Sequence, residues 1–210
     1  MNRAILVFLK LPVPGKVKTR LAKSIGDVAA AAAYEKLVSR VFERCGETAA
    51  DQIVIAYDPP EKMDEVKDWL APRVQSLGCE VSWLAQSQGD LGDRLNSASA
   101  AIFQSEPRTL LSIIGTDCIH LDPNLFEEAW GALAAGIDVV FGPTEDGGYY
   151  LIGLKESQEV LFRDIPWSTE ETLEASLKAA QAGNLKSFQL GSRIDVDTID
   201  EWEQVREELG

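Results

Sequence analysis

Ala4-Ile-Leu-Val-Phe-Leu9 is an unbroken apolar run with no polar residue at alternate positions. A strand with one wet face alternates, whereas a strand covered on both faces does not. The run therefore predicts an interior strand of a layered sheet. Further strands are read at Gln52–Tyr57, Glu80–Leu84, Thr109–Ile114, Ile137–Phe141 and Tyr149–Leu154, with a short one at Lys186–Leu190. Helical spacing separates them. Tyr34, Leu37, Val38, Val41, Phe42 and Cys45 fall on one face of a helix over 28–45. Further helices are expected near 61–71, opened by Pro59-Pro60, over 93–104, and from the cap Asp122-Pro123 to about Ala135. Ser168-x-x-Glu171 and Thr198-x-x-Glu201 read as capping boxes for two later helices. This alternation predicts an α/β fold, a single-domain three-layer α/β/α sandwich with a mostly parallel sheet. No repeat and no linker rich in Gly, Pro or Ser divides residues 1–210. Ligands of such sheets bind beyond the carboxyl ends of the strands.

Charge narrows the partners. Lys and Arg total 20 against 34 Asp and Glu, a net charge of −14. A surface this acidic repels nucleic acid and anionic membranes. Residues 1–40 run the other way, with eight basic residues and only Asp27 and Glu35 acidic, a local +6 that leaves −20 on the rest. A basic segment on an acidic protein suits a small anion better than a polymer. No apolar run approaches the roughly 20 residues of a membrane span. The apolar start is short and followed by Lys10, so the chain reads as soluble and cytoplasmic. Cys45, Cys79 and Cys118 are odd in number and form no Cys-x-x-Cys pair, against a disulfide framework or zinc.

Four segments carry candidate chemistry. After the first strand comes Lys10-Leu-Pro-Val-Pro-Gly-Lys-Val-Lys-Thr-Arg-Leu21. Its prolines and glycine force an open loop. Lys16, Lys18 and Arg20 then stand at alternate positions before the first helix, where backbone N–H groups favour a phosphate. It is not a Walker loop, because Val17 follows Gly15-Lys16 and Lys10 stands five before Gly15. Asp117, in Gly115-Thr-Asp-Cys118, follows the central Thr109–Ile114 strand and is placed to hold a hard metal ion such as magnesium. The bland alternative is a turn cap. Cys118 reads as packing, and His120, the only histidine, as a loop residue. In Glu145-Asp-Gly-Gly-Tyr149 the glycines permit a tight turn or a close approach. Glu145 and Asp146 offer acceptors for sugar hydroxyls or a general base, and Tyr149 offers a ring to stack, though Asp-Gly also marks a plain hairpin turn. Asp195-Val-Asp197-Thr198 puts two carboxylates at i and i+2, on one face if extended. One of them would complete a metal site, and the other would hold the loop or cap the last helix.

Taken with Gly89-Asp-Leu-Gly-Asp-Arg-Leu95, Gly142–Gly153 and Ile165-Pro-Trp167, these segments resemble the nucleotide-diphospho-sugar transferase superfamily, whose fold is called GT-A. Within it the chain resembles a family of bacterial proteins described provisionally as glycosyltransferases, some associated with radical-SAM proteins. The first and last segments are also similar to guanylyltransferases acting on molybdenum cofactor or phospholactate. The resemblance implies a nucleotide held by Pro12, Gly15, Lys16, Lys18, Thr19, Arg20, Gly89, Asp90 and Arg94. It implies Mg2+ or Mn2+ on Asp117 with Asp195 or Asp197. Asp117, Asp146 and Lys18 would be catalytic, and Glu145, Asp146, Gly147, Gly148 and Tyr149 would meet an acceptor. Ile119 and Ile199 stand where this family pattern has proline. The expected activity is a metal-dependent transferase using a nucleotide-sugar donor. The alternatives are a nucleotidyltransferase using a nucleoside triphosphate and a non-catalytic nucleotide-binding module.

Overall fold

A computed structural model describes residues 1–209. Seven strands form one sheet: β1 (Asn2–Lys10), β2 (Gln52–Asp58), β3 (Glu80–Ala85), β4 (Thr109–Ile114), β5 (Val139–Pro143), β6 (Tyr149–Leu154) and β7 (Ser187–Gln189). Their order is β3-β2-β1-β4-β6-β5-β7. β1 pairs in parallel with β2, from Ala4↔Gln52 to Lys10↔Asp58, and with β4, from Asn2↔Thr109 to Val7↔Ile114. β6 runs antiparallel to both β4 and β5. Ala4 to Val7 are completely buried, as an interior strand requires.

The helices are α1 (Thr19–Ile25), α2 (Asp27–Gly46), α3 (Met63–Val74), α4 (Leu91–Ser105), α5 (Pro123–Ala134), α6 (Thr172–Ala182) and α7 (Ile199–Val205). One face of the sheet packs α2, α3 and α5 through Tyr34, Val38, Leu70 and Trp130. The other packs α4 and α6 through Leu95, Ile102 and Ala180. The three layers expected from the alternation are thus present. No described helix is long and apolar enough to cross a membrane.

The chain leaves β1 toward β2 and β3 on one side and returns with β4 on the other. The connection reverses between β1 and β4, and a crevice opens at such a switch point. The loops after β1 and β4, which hold Leu11–Lys18 and Gly115–Asp117, flank it. The turn before β6 opens at the same end because β6 is antiparallel.

Two local expectations are corrected. The cations at 16, 18 and 20 do not all precede the first helix, because Arg20 lies inside α1. Seven residues are too few to show an amphipathic repeat. The helix is stabilised by burying Leu21 against Ala30 and Ala33. Ser168-x-x-Glu171 does not cap a helix: α6 starts at Thr172, and Ser168 sits in the left-handed region at φ 62°. Threonine hydroxyls build that turn, with Thr172 Oγ1 donating to Pro166 O at 2.8 Å and Thr169 Oγ1 accepting from Glu171 N at 3.3 Å. The box at Thr198 and Glu201 does form, and Asp122 caps α5 through Asn124 N at 2.8 Å.

Candidate functional site

The site begins with an extended segment. Asp195 and Asp197 both line the cleft, while Val196 between them is fully buried with Leu37, Ile119 and Val205. The i, i+2 geometry thus aims both carboxylates one way. Val196 N donates to Asp117 O at 3.0 Å, locking the segment to the end of β4. Asp117, Asp195 and Asp197 bring carboxylate oxygens within 4.8 Å of one another.

Lys18 enters this cluster from the other end of the chain. Its Nζ lies 2.7 Å from Asp117 Oδ1 and 3.2 Å from Asp197 Oδ1, and it donates to Val196 O. Those three acceptors match the three ammonium hydrogens. The Lys18 side chain is 3% exposed. Burial opposes its charge, but Asp117, Asp197 and Asp195 outweigh it and hold the amine protonated well above the usual lysine range. Arg20 Nη1 pairs with Asp197 Oδ2 at 3.1 Å from a more exposed position. Burial, then the charge of Asp117, push the Asp195 carboxyl well above its ordinary value. No hydrogen bond reaches that carboxylate among the described residues. Hard oxygen donors with one carboxylate left poorly neutralised fit a divalent cation of the magnesium type.

The floor is tied across the switch point. Tyr34 OH, on α2, accepts from Lys10 N at 3.0 Å and from Thr116 Oγ1 at 3.3 Å. Burial first of all raises its phenol to about 12. Gln86, 6% exposed, donates to Leu9 O at 3.1 Å and Ala56 O at 2.9 Å, and its Oε1 accepts from Arg94 at 3.4 Å. Asp90 is the N-cap of α4 and exchanges a capping box with Asp93. Arg94 Nε donates to Gly89 O at 3.2 Å.

The far wall comes from the turn before β6 and the loop before α6. Asp146 Oδ1 accepts from Thr144 Oγ1 at 2.5 Å and Gly148 N at 3.2 Å, closing the turn. Gly147 lies at φ 87°, and a Cβ there would stand 2.1 Å from Glu170 O. Only glycine lets the turn seat the loop 166–172 this closely. Tyr149 packs between Phe141, 5.4 Å away, and Trp167, 6.2 Å away and edge-on. Burial pushes its phenol far up, so it serves as a neutral ring.

These walls enclose a cleft of about 960 Å³, at the upper end of the roughly 300–1,000 Å³ typical of ligand pockets, with room for two substrates. Of the residues singled out in the sequence, Lys16, Lys18, Thr19, Arg20, Gly89, Asp90 and Arg94 line it on one side. Asp117, Asp195 and Asp197 line its centre, and Asp146, Gly148 and Tyr149 the far side. Pro12, Gly15, Glu145 and Gly147 are not among the lining residues. Sequence reasoning missed Tyr34, which reads as one more apolar position of a helix. It also missed Gln86, lost in a polar stretch, and Ser168, Thr169 and Glu170, which were assigned to a helix cap. Cys118 is buried, and burial first of all raises its thiol to about 12, so it is no nucleophile. His120 pairs with Glu208 at 3.2 Å and is not a lining residue.

Fold and sheet order define an α/β protein of the nucleotide-diphospho-sugar transferase-like class. The chain belongs to the DUF2064 family, described as an uncharacterized protein conserved in bacteria, whose pattern matches residues 41–169. A protein from Desulfovibrio desulfuricans G20, provisionally assigned as a nucleotide-diphospho-sugar transferase, has a crystal structure with a TM-score of 0.83. It is 31% identical over 99% of this chain and 88% of that one. CMP:2-keto-3-deoxy-manno-octonic acid synthetase in complex with CTP has a TM-score of 0.59 at 14% identity, covering 100% of this chain and 98% of that one, a likeness of fold. No curated protein matches the chain.

Proposed function

We propose that the protein is a metal-dependent transferase that binds a nucleotide sugar and passes the sugar to an acceptor. The observation that carries this reading is the meeting of Lys18 with Asp117 at 2.7 Å, which joins the basic amino-terminal segment to the acidic cluster at the switch point. The provisional assignment of the Desulfovibrio protein supports it.

Asp117, Asp195 and Asp197 would hold Mg2+ or Mn2+. When bound, the ion offsets negative charge developing on the diphosphate as the sugar leaves. Lys16 and Arg20 face the cleft and add positive charge there, Arg20 with a fork suited to phosphate oxygens. Lys18 has a different task. With its hydrogens matched to Asp117, Asp197 and Val196, it fixes the carboxylates rather than reaching out. Gly89, Asp90 and Arg94 shape the nucleotide end. Asp146 commits only Oδ1 to its turn. Its Oδ2 is left to orient an acceptor hydroxyl and take its proton.

The test is calorimetry with nucleoside diphosphate sugars and nucleoside triphosphates, with and without Mg2+ or Mn2+. A nucleotide sugar should bind, and metal should strengthen it. Asp117→Asn should lose about tenfold or more of that metal-dependent affinity. Unchanged affinity in this variant overturns the reading. Metal-dependent binding of triphosphates alone reassigns the cleft to nucleotidyl transfer. Metal-independent binding with no turnover makes the protein a binding module.

A further inference from the structure

The cleft is electrically lopsided, and the lopsidedness bears on the second substrate. The cations among its lining residues are Lys10, Lys16, Lys18, Arg20 and Arg94. Lys10 ends β1, Lys16 and Lys18 sit on the loop that follows it, and Arg20 and Arg94 lie on α1 and α4. The end formed by the turn before β6 and the loop before α6 contributes no lining cation. It contributes Asp146 and Glu170, the hydroxyls of Thr144, Ser168 and Thr169, and the rings of Tyr149 and Trp167. Arg193, on the segment that pairs with Thr144, donates to Ser192 O and is not a lining residue.

A divalent ion on Asp117, Asp195 and Asp197 would leave the oxygens of Asp146 and Glu170 uncoordinated, because both residues lie outside that triad, although Asp146 is near enough to Asp195 for the ion to offset part of its charge. Glu170 is exposed, and its backbone is held in place by the close approach of Gly147. Asp146 keeps Oδ2 free of the turn that its Oδ1 closes. Two carboxylates are acceptors only, so they recognise groups that donate. An anion brought within a few ångströms of them meets repulsion, in a protein already at −14. Hydroxyl donors beside aromatic surface describe a sugar ring.

Resting on the transferase reading above, we infer that the acceptor offers a neutral, hydroxyl-rich group such as a pyranose to the Asp146–Glu170 end of the cleft. Phosphorylated and carboxylated groups are rejected there. Trp167, Ser168, Thr169 and Glu170 are the specificity wall, and the Gly147–Gly148 turn is its mount. The Ile165-Pro-Trp167 segment gains a role that its sequence does not announce. Trp167 packs so close to α4 that a Cβ on Gly92 would stand 2.7 Å from its Nε1, which sets one end of the wall against the nucleotide side.

The experiment is saturation-transfer NMR with glucose, glucosamine, glucuronate and glucose 6-phosphate. It is run on the full chain, free and loaded with Mg2+ and whichever of UDP, GDP, CDP or ADP binds. Glucose and glucosamine should bind, and the two anions should bind about tenfold more weakly or worse. Glu170→Gln should narrow the gap between glucose and glucuronate several-fold. Either anion binding as tightly as glucose overturns the inference. So does a gap that Glu170→Gln leaves unchanged, or nucleotide binding with no sugar bound at all. If no nucleotide binds but the sugars discriminate as stated, the transferase reading fails and the subsite stands.

Discussion

Lys18 is a charged side chain in a left-handed backbone conformation, at φ 47° and ψ 45°. A non-glycine residue there carries strain of about 1 kcal/mol or more, tolerated when surroundings over-determine it. Its two ion pairs and the bond to Val196 O supply that determination. Removing one partner of a buried ion pair costs about 3–5 kcal/mol. Here Asp117 and Asp197 remain about a third exposed, and water would soften the loss. Lys18→Met should therefore lower stability by about 2 kcal/mol, less than a fully buried pair. A cation that binds the same carboxylates should return part of this. Thermal melts should show Mg2+ raising the midpoint of the variant more than that of the parent. Equal shifts in both proteins would mean that Lys18 and the metal do not share ligands. The charge pattern of the sequence placed this lysine in a phosphate loop. That it is turned toward Val196 O and Asp197, 178 and 179 residues away, could not be read locally, because burial of a cation is decided by long-range packing.

At the next scale, strands and long helices were legible because their apolar periods exceed local noise. α2 spans Asp27–Gly46 where spacing indicated 28–45, and β4 matches residue for residue. The loop 162–172 was not legible. It has no period, two of its residues (Asp164 and Ser168) lie at positive φ, and its turn is held by threonine hydroxyls. Its position depends on a contact made by another element, the Gly147–Glu170 approach. Gly147→Ala would meet both the positive φ and a carbonyl 2.1 Å away, so the loop must shift. The expected outcome is a loss of about 1–3 kcal/mol in stability. Acceptor-dependent turnover should fall further than nucleotide affinity, separable by comparing steady-state rates with calorimetry. β7 offers a simpler case. Asp138 pairs with Lys155 at 2.7 Å and accepts from Lys186 N at 2.8 Å, fixing the entry to the edge strand. These bonds, with Lys155 first, hold its carboxyl below the usual aspartate range. A lowered carboxyl stabilises the fold above its unfolded value of about 3.8 and ceases to do so as pH falls through the lower folded value. Asp138→Asn should therefore be less stable than the parent by about 1 kcal/mol at neutral pH. Denaturation midpoints of the two proteins should converge below pH 3.8.

At the scale of the molecule, the site is where two ends of the chain meet. Lys18 and Arg20 come from the segment after β1, Asp195 and Asp197 from the segment after β7, and the seven-stranded sheet sets them side by side. The alternating pattern announced the sheet, and the carboxyl-end rule announced where to look, but neither states that residue 197 returns to residue 18. That return is set by β7 beside β5 and by Val196 and Val205 packing against Leu37 and Ile119. A ligand held by both ends must therefore stabilise both together. Anything that binds the native state raises the free energy of every opening that breaks its site. Nucleotide with Mg2+ should slow amide exchange in residues 10–20 and 193–198 by similar factors, while the outer edge of the sheet at β3, away from those contacts, changes little. Val196 N–H, bonded to Asp117 O, is the most direct reporter. Protection confined to residues 10–20 would show that the carboxylates do not take part in binding, and the phosphate loop would then act alone. Protection in both segments, lost together in Asp117→Asn, would establish that the cations and the aspartates work as one site.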